Sequence, residues 1–271
     1  MRLPLILFGV AFLVAPAGAV AQDDEHSHDH THDKAQHSHR GPGPHFIDAF
    51  FTENAYIERK LRPDLFFASG DRGDVATAQL EIEWALVRNF SLIMHAPVHR
   101  LTPDGLPAET GIGDVSVGAK LAAINDRRRF ILAVGADLEL ATGDEARGLG
   151  EEHAAAAPFV LGWLPFGPER RWLLQGGGHL DVPLEGDEDP HAEVSAVVSW
   201  TSPLGVTAIV ETIAEFSTGG GPVSWAIAPE FRWEFAEAWE VGAAVRIPVG
   251  GPNEENYRVA FGLIRHFALP Q

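Results

Sequence analysis

The residues best suited to chemistry are histidines and carboxylates, and they fall into two groups. The first is His26, His28, His30 and His32 in "HSHDHTH", followed by His37 and His39. Alternate histidines on a flexible chain can fold several imidazoles around one ion, and imidazole suits Zn²⁺, Cu²⁺, Ni²⁺ and Co²⁺ alike. Asp23, Asp24, Glu25, Asp29 and Asp33 add carboxylates to the same run. This is a candidate site for a divalent transition metal whose identity the ligand types do not select. The second group is dispersed: Glu81, Glu83, His95, Asp137, Glu139, Glu211, Glu230, Arg232, Arg246 and Arg258. These share no local run, so only an extended element with a repeating face can bring them to one surface.

That element is the β-strand. In "VSWAIAPEFRWEF", Val223, Trp225, Ile227, Pro229, Phe231, Trp233 and Phe235 alternate with Ser224, Ala226, Ala228, Glu230, Arg232 and Glu234. A strand separates these into an apolar face and a small or charged face, whereas a helix would scatter them. The pattern recurs over Trp239–Val249 and Asn256–Phe267. Extended along the chain, it predicts about twelve strands: Ala55–Ser69, Asp74–Arg88, Phe90–Arg100, Gly111–Ile124, Phe130–Ala141, His153–Leu164, Arg171–Pro183, His191–Trp200, Gly205–Phe216, Val223–Phe235, Trp239–Val249 and Asn256–Phe267. The first and sixth alternate least cleanly.

The connections between them also alternate. "RN", "NDRRR", "FGPER", "TSPL" and "AEA" are short. "GDRG", "LTPDGLPAET", "TGDEARGLGEE", "LEGDEDP", "STGGGP" and "GGPNEE" are longer on average, Gly-rich and mostly acidic. Short turns at one end and long loops at the other mark an antiparallel up-and-down transmembrane β-barrel. An even strand count puts both termini on the short-turn, periplasmic side. Trp84, Phe90, Phe130, Trp163, Trp172, Trp200, Trp233, Phe235, Trp239 and Phe267 fall near the short-turn ends. There they form the interfacial girdle such barrels carry.

The fold expected is therefore all-β over residues 46–271. Residues 1–21 read as a signal peptide, with Arg2, the apolar run "LPLILFGVAFLV" and "AVA" before Gln22. Residues 22–45 are polar and charged, end in "RGPGPH", and read as a disordered His/Asp-rich periplasmic tail. The chain of 271 residues has no cysteine, which excludes disulfides and thiolate metal sites. A net charge of −18 excludes the basic footprint that nucleic acid needs.

The polar faces hold more acids than bases. Two expectations follow: a wet, negative lumen that disfavours anions, or an interior salt-bridge network that plugs a narrow barrel. His95 and His99 share one face but stand roughly 13 Å apart along a strand, so alone they cannot share a metal.

"GIGDVSVGAKLAAI" at Gly111–Ile124 and "LELATGDEARGLGEEH" at Leu138–His153 resemble the family named for the MetA-pathway of phenol degradation. "FFTENAYIERKL" at Phe50–Leu61 and the closing "GLIRHF" are similar to it as well. The chain departs from that family at Ala141, where Pro is common, and in the four residues after Phe267. The resemblance implies an outer-membrane channel or transporter and supplies no catalytic or binding residues.

Gly-x-Ser-x-Gly, His-Glu-x-x-His and P-loop motifs are absent, so no enzyme is expected. The function expected is passage of small solutes, hydrophobic or cationic ones, through a polar, net-acidic lumen, with no cofactor required. The partners are outer-membrane lipid, the barrel assembly machinery and the solute. Two alternatives remain: a metal-handling outer-membrane protein built on the His-rich tail, and a soluble periplasmic β protein.

Overall fold

Strand-forming alternation dominates the computed structural model, which describes residues 43–253 and 255–270. The signal-peptide reading and the tail ligands His26, His28, His30, His32, His37 and His39 lie outside the described residues.

Thirteen β segments follow one another: β1 Arg59–Gly70, β2 Gly73–Val87, β3 Phe90–Pro103, β4 Glu109–Ile112, β5 Val115–Asp126, β6 Phe130–Leu140, β7 Ala155–Phe166, β8 Trp172–Pro183, β9 His191–Thr201, β10 Val206–Ser217, β11 Ser224–Ala236, β12 Trp239–Gly250 and β13 Glu255–His266. Both β4 and β5 pair with β3 and are two halves of one strand, broken at Gly113–Asp114. Every other neighbour in sequence pairs antiparallel, and β1 pairs with β13, so the sheet closes on itself. The result is a closed twelve-strand up-and-down barrel.

The large apolar side chains face out. Along β11, Trp225, Ile227, Phe231, Trp233 and Phe235 are exposed, while Ala226, Ala228, Glu230, Arg232 and Glu234 are buried. Water would reverse this arrangement, and lipid favours it. A 12-residue strand such as β1, at about 3.3 Å per residue and tilted roughly 40°, rises about 30 Å, the thickness of a bilayer's hydrocarbon core.

The short-turn end carries an aromatic belt. Trp84 lies 5.8 Å from Phe267, and Phe166 lies 6.1 Å from Trp172. Arg59 and Arg265 sit 4.9 and 5.1 Å above the rings of Trp84 and Trp239.

Several sequence expectations need correction. The first strand starts at Arg59, not Ala55, because residues 43–58 turn into the lumen. The "GDRG" connection is a tight turn in which Gly70 pairs with Gly73. Trp163 does not join the belt: it is fully buried and faces inward, 4.9 Å from a stacked Phe46.

Residues 43–58 form a plug in the short-turn half of the barrel. The segment enters beside the β7–β8 turn, where the Gly43 amide donates to Glu169 O at 3.0 Å. It descends to mid-barrel at Phe50–Thr52 and returns to start β1. Ile47, Ala49, Ala55, Tyr56 and Ile57 are buried against inward-facing Ile93, Ile131, Leu161, Trp163, Leu173 and Val197. The lumen is thus partly apolar at this end, contrary to the polar interior expected. His45, assigned to the tail from sequence, is buried here as well.

Candidate functional site: an acidic vestibule above a charged plug

The inward faces of β1, β2, β5, β10, β11 and β13 present charged residues to the plug. Lys60 on β1 reaches Asp48 at 2.6 Å, Glu58 at 2.9 Å and Glu81 at 2.7 Å. Lys120 on β5 meets Glu53 at 2.7 Å and Glu83 at 3.0 Å, and also donates to Asn54 O at 3.0 Å. Glu83 accepts from Ser91 Oγ at 2.7 Å. On the far wall, Glu211 accepts from the Phe50 and Phe51 amides at 2.9 and 3.0 Å and from Thr52 Oγ1 at 2.6 Å. Glu230 takes a second, longer bond from the Phe50 amide at 3.2 Å.

Arg232 donates to Asp48 O at 2.8 Å and stacks 3.7 Å from the Phe50 ring, with Arg62 at 5.3 Å from the same ring. His266, at the end of β13, bridges Glu58 at 3.1 Å and Glu240 at 2.8 Å. Burial alone would raise the Asp48 carboxyl; the charges of Lys60, Arg62 and His266 outweigh it and hold Asp48 well below the usual carboxylate range.

Above the plug, toward the long-loop end, the lumen is open. One cavity of about 260 Å³ rests on Phe50–Glu53 and is walled by Arg62, Glu81, His95, Asp137, Glu139, His179, Asp181 and Glu193. A second, of about 480 Å³, continues it to the mouth. The two share Gln79, His95, Ser116 and Glu139 and form one vestibule.

The β6–β7 loop folds across the mouth and is fastened at the break between β4 and β5. Asp114 accepts from the Gly143 amide at 2.8 Å and the Glu151 amide at 2.6 Å. Thr142 Oγ1 donates to Gly113 O and accepts from the Val115 amide, both at 3.0 Å. The loop's own Leu149 is buried, its side chain beside Gly111. A Cβ at Gly113 would meet the His99 ring, so a side chain there would displace that ring. The stretches "GIGDV" and "TGDEARGLG" are therefore two halves of one clasp.

Asp114→Ala is expected to leave the Gly143 and Glu151 amides without an acceptor, at about 2–3 kcal/mol. The loop should then release, and trypsin should cut after Arg147 faster in the folded barrel; an unchanged cleavage rate would contradict the clasp.

The residues assigned to the lumen from sequence separate into three sets. Glu81, His95, Asp137 and Glu139 line the vestibule. Glu83, Glu211, Glu230 and Arg232 are sealed under the plug. Arg246 and Arg258 lie nearer the long-loop end, paired with Glu215 at 2.5 Å and with Glu255. Asp48, Glu53 and Glu58 on the plug, and Lys60, Arg62 and Asp64 on β1, are central and were missed. The alternation of Lys60, Arg62 and Asp64 with Leu61, Pro63 and Leu65 could have revealed the β1 residues.

A closed antiparallel barrel with lipid-facing apolar side chains and inward charges defines a transmembrane β-barrel of the outer membrane. The chain belongs to the family described as "Putative MetA-pathway of phenol degradation", which matches residues 84–260. No curated protein sequence matches it.

Among solved structures, the COG4313 outer membrane channel from Pseudomonas putida F1 is similar, with a TM-score of 0.67 at 14% identity, covering 82% of this chain and 100% of that one. KdgM porin aligns with a TM-score of 0.54 at 12% identity, covering 77% and 99%. NanC porin aligns with 0.52 at 11%, covering 78% and 100%. At these identities the likeness is one of fold.

Proposed function

We propose that the barrel is a channel for small cations and cationic solutes. They enter the acidic vestibule from the long-loop end, and the 43–58 plug closes the path at the short-turn end, which faces the periplasm. The carrying observation is the vestibule lining. Glu53, Glu81, Asp137, Glu139, Asp181 and Glu193 surround the lower cavity, with Arg62 as its permanent cation. A low-dielectric wall lined by one sign of charge concentrates ions of the other.

The fold similarity to an outer membrane channel and to porins supports passage of solute rather than catalysis. KdgM porin has been solved in complex with disordered oligogalacturonate. A polyanion of that kind would meet repulsion from the carboxylates here. The reading needs no resident cofactor. It places lipid around the apolar band and the barrel assembly machinery at insertion. The tail histidines His26–His39 would supply metal binding upstream of the plug, as the metal-handling alternative has it.

Reversal potentials across planar bilayers under a salt gradient test the proposal. The full chain should prefer K⁺ over Cl⁻. The triple change Asp137→Asn, Glu139→Gln, Glu193→Gln should bring the permeability ratio down roughly tenfold, toward unity. An anion-selective wild-type barrel would sink the reading.

A further inference from the structure

We infer that Glu53, Glu81 and His95 form a binding site for a divalent transition-metal ion on the vestibule floor. This deepens the cation-channel reading and rests on it for the identity of the cargo. Each residue offers one donor atom, and the three donors lie within 4.8 Å of one another. They come from the plug, β2 and β3, so the site exists only when the plug is seated.

Several features separate this cluster from a chance group of acids. His95 Nδ1 lies 3.0 Å from Ser116 Oγ. The tautomer in which Nδ1–H donates to that hydroxyl leaves the Nε2 lone pair free, the usual outer-shell arrangement of a metal-binding imidazole. Nε2 is 3.8 Å from Glu81 Oε2. Glu81 keeps its other oxygen on Lys60 at 2.7 Å, so Oε2 is held in place. Its remaining neighbour, Arg62 Nη1, is distant at 3.4 Å, and Arg62 has Asp64 as a closer partner at 2.6 Å. Glu53 likewise spends Oε1 on Lys120 at 2.7 Å, leaving Oε2 for a ligand. Metal bonds of about 2.0–2.2 Å put tetrahedral donors roughly 3.4 Å apart. Partly exposed Glu53 can supply the ångström of closure required.

Charge balance points the same way. Asp48, Glu53, Glu58, Asp64, Glu81 and Glu83 outnumber the permanent cations around the floor, Lys60, Arg62, Lys120 and the Arg232 that bonds Asp48 O. Buried surplus carboxylates require protons or cations, and one divalent ion offsets most of this excess. The other compact cluster, Asp48, Glu58 and His266, makes a contrast. Lys60 already occupies it with short bonds to both carboxylates. Two carboxylates and one imidazole suit Zn²⁺, Co²⁺, Ni²⁺ or Mn²⁺ over Cu⁺.

Crystals of the full chain soaked in Co²⁺ and measured at the cobalt edge test the site. A peak within bonding distance of His95 Nε2 and Glu81 Oε2 is expected. It should be lost in His95→Ala and in Glu53→Gln, and kept in His99→Ala. The electron density of each variant reports directly whether barrel and plug are folded. No peak at this position in the wild type, or one unchanged in both His95→Ala and Glu53→Gln, would overturn the site. A cation-selective barrel without the peak overturns the site alone; an anion-selective barrel that keeps it overturns only the channel reading.

Discussion

Glu211→Ala should open the barrel. One carboxylate at mid-depth accepts from the Phe50 and Phe51 amides and the Thr52 hydroxyl. It is therefore the point where the tip of the plug is fastened to the far wall. Glu230 can retain the Phe50 amide; the Phe51 amide and Thr52 hydroxyl lose their acceptor. Leaving those donors unmet costs about 2–4 kcal/mol, which raises the unplugged fraction by roughly 30- to 1000-fold, since about 1.4 kcal/mol is tenfold. Single-channel recording reads this as open probability, with a chain lacking residues 43–57 as the open reference. Glu211→Gln, which keeps an acceptor oxygen, should have a smaller effect. If the chain without its plug conducts no better than the full chain, something other than residues 43–58 closes the path.

Lys60→Met should be the most destabilising single change in the wall. The ammonium is fully buried, and Asp48, Glu58 and Glu81 converge on it within 2.9 Å. Removing it leaves three buried carboxylates facing one another with no cation between them. Breaking a buried ion pair from one side typically costs about 3–5 kcal/mol. The urea midpoint of the barrel in detergent should fall accordingly. Arg147→Ala is the control: the pair with Glu109 is well exposed, and such pairs are worth under about 1 kcal/mol. Equal shifts for the two variants would refute the central place given to Lys60.

The barrel was legible wherever lipid is the only thing outside and charge the only thing inside. In β11 the outward Trp225, Ile227, Phe231 and Trp233 alternate with Glu230 and Arg232, and the sequence shows the same period of two. β7 hid its faces because both are apolar. Val160 and Phe166 meet lipid, while Phe159, Leu161 and Trp163 meet the plug.

The start of β1 was misplaced because the plug runs into it without a turn residue. The plug itself has no period to detect: Asp48 meets Lys60, Phe50 meets Glu211 and Arg232, Asn54 meets Lys120, and Tyr56 packs on Phe46 within the plug. The interior has two storeys, a carboxylate-lined vestibule and an ion-paired plug beneath it. The family motifs "GIGDV" and "TGDEARGLG" were visible as strings, but only the fold shows them bonded to each other through Asp114 and Thr142.

The plug precedes β1, and this gives the barrel two very different responses to tension. Load applied at Gly43 falls first on a single hydrogen bond from its amide to Glu169 O, then on the stacked Phe46, then on Asp48 and the Glu211 anchor, one after another. The same load reaching Arg59 meets the β1–β13 seam, paired from Lys60↔His266 to Gly70↔Glu255, whose bonds bear it together in shear. Contacts loaded in series peel at low force, and contacts loaded in parallel hold. A pull from the N-terminal side would therefore draw the plug out like a ripcord and stop at the first strand, leaving the cylinder closed.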